Sequence, residues 1–137
     1  YAPAAGVVHG AYVLADAPGG RPELILIATG SELSLAVQAH EKLCADGIRS
    51  RLVSMPSWDL FEREPQSYRD AVLPPEVEAR VAIEQASTFG WERYVGPQGR
   101  VIGMHTFGAS APLAALQKKF GFEPDRVVAV AREVLGR

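Results

Sequence analysis

The stretch Leu24-Ile25-Leu26-Ile27-Ala28-Thr29-Gly30-Ser31-Glu32 decides how this chain is read. Its unbroken aliphatic start is the pattern of a strand covered on both faces, the situation inside a parallel sheet. Thr29, Gly30, Ser31 and Glu32 then open a helix, and Thr29 with Glu32 has the spacing of a capping box. Leu33, Ala36, Val37, His40 and Cys44 follow at helical spacing, and Gly47 stands where a left-handed C-terminal cap is wanted. Residues 48–55 read as a second strand, stopped by Pro56. A strand–helix–strand unit is therefore expected around Thr29.

Upstream of it, residues 12–15 are a short strand candidate, separated from Leu24 only by a tight stretch containing Pro18-Gly19-Gly20. So short a connection makes that strand the antiparallel exception. Residues 1–9 read as an interdomain linker tail, and residues 10–137 as one domain. Downstream, residues 57–63 and 67–72 are short helices ended by Pro65 and by Pro74-Pro75. Residues 79–84 are a strand, 88–95 a short helix around Trp91 and Tyr94, and 100–104 a further strand. Helices over 112–120 and 124–135 close the chain, each with a proline near its start, where a missing N–H costs little. The last carries Val127, Val128, Ala131, Val134 and Leu135 as one apolar stripe. The alternation predicts an α/β fold: a three-layer α/β/α sandwich on about five strands, mostly parallel with one antiparallel.

A net charge of -2 leaves no electrostatic footprint for nucleic acid or an anionic membrane. No apolar run reaches the roughly 18 to 20 residues that span a bilayer. The single cysteine, Cys44, cannot form an internal disulfide, which fits a reducing compartment and makes the cytoplasm the expected location. Asparagine is absent altogether, excluding any site that needs its carboxamide.

Motifs that carry chemistry are scarce. Thr29, Gly30 and Ser31 could hold a small anion, because free N–H groups and the helix dipole favour phosphate or carboxylate there. The stretch is not a glycine-rich cradle, however, so plain capping is the preferred reading. Gly108-Ala109-Ser110-Ala111-Pro112 approaches a nucleophile elbow, but no histidine follows Ser110, and a cap or loop role is preferred. His9, His40 and His105 share no metal-ligand spacing. His40 lies on the apolar stripe of its helix and is read as a packing histidine. Trp91, Tyr94, Phe107, Phe120 and Phe122 are expected mainly in the core, while Trp58 and Phe61, in a proline-broken segment, are candidates for contact with another domain.

Three runs stand out besides these: Gly90-Trp91-Glu92-Arg93-Tyr94-Val95-Gly96, Ile102-Gly103-Met104-His105-Thr106-Phe107-Gly108-Ala109-Ser110-Ala111-Pro112, and Phe120-Gly121-Phe122. With Met55-Pro56-Ser57-Trp58-Asp59-Leu60-Phe61-Glu62, Tyr68-Arg69 and Val72-Leu73-Pro74, in this order and spacing, the chain resembles the C-terminal domain of bacterial transketolase from about Gly10 to Leu135. That resemblance implies a parent of three α/β domains, working as a cytoplasmic homodimer in the pentose phosphate pathway. Such a parent transfers a two-carbon ketol unit from a ketose phosphate to an aldose phosphate, with thiamine diphosphate and Mg or Ca. The family's diphosphate motif begins Gly-Asp-Gly and ends in a metal-liganding asparagine, and neither occurs here. The resemblance therefore assigns this chain no catalytic, cofactor-binding or metal-binding residue. It implies a domain silent on its own, with the remaining domains and the second subunit as partners. The alternative is a regulatory module holding a metabolite anion at Thr29 to Glu32.

Overall fold

The computed structural model describes residues 4–30, 32–84, 90–103 and 123–137. Its strands are β1 (Tyr12–Ala15), β2 (Leu24–Ala28), β3 (Ser50–Ser54), β4 (Arg80–Glu84) and β5 (Arg100–Gly103). Its helices are α1 (Glu32–Ala45), α2 (Trp58–Arg63), α3 (Gln66–Val72), α4 (Glu92–Val95) and α5 (Pro124–Leu135). The sheet order is β1-β3-β2-β4-β5, with β1 antiparallel to β3 and every other pairing parallel.

All of β2 is buried, as its aliphatic run requires. Alternate side chains serve opposite faces. Leu24, Leu26 and Ala28 join one core with α1 and α5; Ile25 and Ile27 join a second core with Phe61, Val72, Trp91, Tyr94 and Val95 from the α2–α4 side. The three-layer sandwich follows directly. The helix predicted over 112–120 lies outside the described residues, as do Met104, His105, Phe107, Ser110, Phe120 and Phe122.

Where α1 ends, Gly47 adopts φ +81°, and the Ile48 N–H reaches back to the Leu43 carbonyl at 2.9 Å. This is the six-to-one bond of a Schellman cap, with Leu43 and Ile48 both buried beside it. The buried face of α1 differs from the expected stripe: Leu35, Ala36, Ala39, His40 and Leu43 are buried, whereas Leu33, Val37 and Cys44 are half-buried. The helix sits between the sheet and α5, so its apolar arc is wide and its centre is shifted. Phe61 corrects a second expectation. It is 2% exposed and belongs to the core rather than to an outer contact surface.

Within the segment read as an interdomain linker tail, residues Ala4–His9 form a 3-10 helix. His9 Nδ1 lies 2.6 Å from Glu64 Oε1, its ring is 4.8 Å from that of Tyr68, and the Tyr68 hydroxyl donates to the Ala11 carbonyl at 2.8 Å.

Candidate functional site

β2 and β4 are neighbours, yet the helix after β2 packs on one face of the sheet and α4 on the other. In open α/β sheets such a switch point, outside the carboxyl ends of the strands, is where ligands bind. Thr29 and Glu84 meet there: the Thr29 hydroxyl donates to Glu84 Oε2 at 3.2 Å. The hydroxyl is thus turned across the sheet rather than into the expected capping box. It is the Thr29 carbonyl that accepts the Glu32 N–H, at 3.1 Å, while the Gly30 carbonyl accepts the Leu33 N–H at 3.2 Å. Gly30 takes the left-handed φ of +54°. Glu32, in the first turn of α1, is buried, and its Oε2 lies 4.0 Å from where a Cβ on Gly30 would sit. Two carboxylates of the chain itself therefore flank the positive end of α1, where a negative side chain is stabilised and a further anion meets like charge. Ser31 lies outside the described residues.

His40 is buried, and its Nδ1 and the Ser50 Oγ share a hydrogen bond of 2.6 Å. Cys44 Sγ stands 3.8 Å from both His40 Nε2 and Ser50 Oγ. Burial pushes the His40 ring below the usual imidazole range, with the charges of Glu41 and Asp16 pulling less strongly the other way. A group whose folded pKa is depressed favours the fold above its unfolded value of about 6.5. That contribution is lost as pH falls from there through the folded pKa, because only the unfolded chain takes up the proton. His40→Leu is accordingly expected to flatten the loss of stability between pH 7.5 and 5.5. At pH 7.5 it should itself cost about 1 kcal/mol, since the buried Ser50 hydroxyl loses its partner. Urea unfolding at the two pH values checks this; an unchanged slope in His40→Leu would assign the pH response elsewhere.

Two clefts lie away from the switch point. One, of about 330 Å³, is lined by Leu73, Pro75, Val77, Arg80, Val95 and Pro97 at the amino end of β4. Its one cation is already spent: the Arg80 guanidinium donates to the carbonyls of Val77 (2.9 Å), Tyr94 (2.7 Å), Pro74 (2.8 Å) and Leu73 (3.3 Å). The other, of about 160 Å³, is bordered by Glu62, Arg69, Arg93 and Tyr94. There Glu62 bridges Arg69 at 3.4 Å and Arg93 at 3.7 Å, and Arg93 also lies 5.6 Å above the Trp58 ring. Trp58 packs edge-on against Trp91 at 4.9 Å, and Trp91 and Tyr94 are buried, the core role expected of them.

Neither cleft brings a nucleophile to a base, and among the described residues no three His, Cys, Asp or Glu side chains could hold a metal ion. Sequence reasoning missed the carbonyl clamp of Arg80, a second one in which Arg51 donates to the Ala71 and Val72 carbonyls at 2.9 and 3.2 Å, and the pairing of Thr29 with Glu84. No local pattern announces them, since each partner set is assembled by the fold.

Residues 10–123 match the family model described as the transketolase-like TK C-terminal domain. The chain belongs to the transketolase family. It is 52% identical over 132 residues to a transketolase of Geobacillus stearothermophilus, a match covering 96% of this chain and 20% of that protein. Among solved structures, transketolase from Leishmania mexicana superposes with a TM-score of 0.86 at 45% identity, over 96% of this chain and 19% of that one. A split-gene transketolase described as an inactive β4 tetramer superposes with a TM-score of 0.71 at 25% identity, over 94% of this chain and 43% of that one. The transketolase C-terminal domain described here thus spans about a fifth of the length of the curated relatives it matches.

Proposed function

We propose that this domain is the scaffold part of a transketolase whose thiamine diphosphate, Mg or Ca, and sugar-phosphate sites lie in its other domains. The parent moves a two-carbon ketol unit from a ketose phosphate to an aldose phosphate, in the cytoplasmic pentose phosphate pathway. The domain packs against those other domains and helps hold the homodimer together, and it contributes no catalytic residue. The observation that carries this reading is the pairing of near-complete coverage of the chain with a fifth of the relatives' length. The split-gene relative, inactive as a β4 tetramer, lends it support. So does the occupied state of every strongly placed cation and histidine described above.

The purified chain, with folding verified by far-UV circular dichroism, is expected to give no transketolase turnover with thiamine diphosphate and Mg. Calorimetry is expected to register no heat of cofactor binding. Turnover above the buffer rate would refute the reading. The alternative, an anion at Thr29, Gly30 and Ser31, gains nothing from a helix start flanked by Glu32 and Glu84. Titration with a sugar phosphate should leave the Gly30 amide signal unmoved.

A further inference from the structure

We propose that the strip made by the 3-10 helix Ala4–His9 and α2 is the seat for the part of the parent polypeptide that precedes this domain, through an apolar contact at Val7, Val8 and Leu60. This rests on the domain-packing reading above and names its surface.

Among the described residues, the large hydrophobic side chains left most open to water are Val7, Val8 and Leu60, at 42%, 66% and 39% exposure. Single exposed apolar residues are ordinary and need no explanation. Here all three fall on two elements that touch. Gly10, at the end of the 3-10 helix, approaches α2 so closely that a Cβ there would lie 2.8 Å from the Leu60 carbonyl carbon. The Ser57 N–H donates to the Gly10 carbonyl at 3.0 Å, and His9 is held by Glu64 and Tyr68 as described. The segment is thus pinned by polar and ring contacts while its two valines are turned outward. A surface fixed in this way is ready-made for a partner, because little further ordering is needed on contact.

The occupant follows from connectivity. The family model is that of a C-terminal domain, and about four-fifths of the length of the Geobacillus stearothermophilus relative lies outside the match. In a C-terminal domain that polypeptide precedes the segment that carries Val7 and Val8. Tethering at that point raises its local concentration over the strip far above that of any free protein.

The test uses the full-length parent enzyme carrying single cysteines, Val8→Cys, Leu60→Cys, Gln38→Cys on α1 and Ala129→Cys on α5, with alkylation read peptide by peptide. All four positions are exposed in this domain. Val8→Cys and Leu60→Cys are expected to label at least ~10-fold more slowly than Ala129→Cys, and equally in the unfolded protein. Fast labelling at both, with protection at Gln38→Cys, would overturn this surface while leaving domain packing intact. Fast labelling at all four would overturn both. Protection that disappears on dilution to nanomolar enzyme would assign the strip to a second copy instead, and also sinks the proposal.

Discussion

Gly10→Ala is expected to destabilise the domain by about 4 kcal/mol, while Gly19→Ala costs only about 1 kcal/mol, although the two glycines have nearly the same backbone angle. Gly10 has φ +81° and Gly19 φ +79°, so both substitutions meet the same left-handed strain. They differ in what surrounds them. A Cβ at Gly19 meets nothing within 4 Å, whereas at Gly10 it would stand 2.2 Å from the Phe61 nitrogen and 2.4 Å from the Ser57 carbonyl oxygen. These are backbone atoms at the start of a helix that carries buried Phe61, so no side-chain rotation relieves them. Either α2 lifts from the sheet and opens the core, or the segment through His9 detaches and loses its contacts to Glu64 and Tyr68. Urea unfolding of the three proteins measures the difference. Equal costs would mean that the close approach of Gly10 to α2 contributes nothing.

The readable parts of this fold are those whose instructions are local. The span of β2 and the limits of α5 were legible because an unbroken aliphatic run and a proline-opened amphipathic stretch each carry their own boundary. So was the cap at Gly47, where one residue type fits one backbone geometry. The misjudged features depend on what packs alongside. The buried arc of α1 is set by α5 lying against it, more than eighty positions away in sequence, as the reach of Lys42 to Asp125 marks. Phe61 and Trp58 look alike in a proline-broken segment, yet the first points into the core and the second lies half-buried against Trp91. Thr29 had the spacing of a cap, but parallel pairing of β2 with β4 set Glu84 beside it and drew its hydroxyl away.

Of the candidate site, sequence reading reached the strand-to-helix junction at Thr29 and Gly30, because a buried strand followed by a helix start is a local signal, but not Glu84, which parallel pairing brings beside it. At the switch point, where an α/β sheet commonly receives a ligand, the helix dipole is answered by the chain's own carboxylates. Elsewhere, Arg51 and Arg80 donate to backbone carbonyls. Arg80 ties the turn after α3 to the end of α4, and so fixes the α2–α4 layer against the sheet. Such use of arginine stiffens the layer it crosses.

Arg51 is the second such clamp, and Arg51→Met is expected to cost about 3 kcal/mol. The residue sits in β3, 6% exposed, between Ser50 and Leu52. Its guanidinium forks onto Asp16, with Nε to Oδ1 at 2.9 Å and Nη2 to Oδ2 at 3.2 Å. The remaining nitrogen, Nη1, donates to the Ala71 carbonyl at 2.9 Å and the Val72 carbonyl at 3.2 Å, the last turn of α3, where a cation suits the helix dipole. One side chain thereby joins the β1–β2 connection, the sheet and α3. Methionine fills much of the space but leaves those carbonyls without donors, which sets the larger part of the cost. Asp16 is 42% exposed and regains water when its partner is removed, so the loss falls at the low end of the range for a broken buried pair. Asp16→Asn keeps the shape but only one acceptor oxygen, so one of the two Arg51 N–H groups on Asp16 loses its acceptor. A cost of about 1 to 2 kcal/mol is expected from that loss and from the guanidinium losing its countercharge. Because the two residues act through one contact, the double variant should cost less than the sum of the singles by roughly 1 kcal/mol. Strict additivity in urea unfolding would show that Arg51 works through the α3 carbonyls alone.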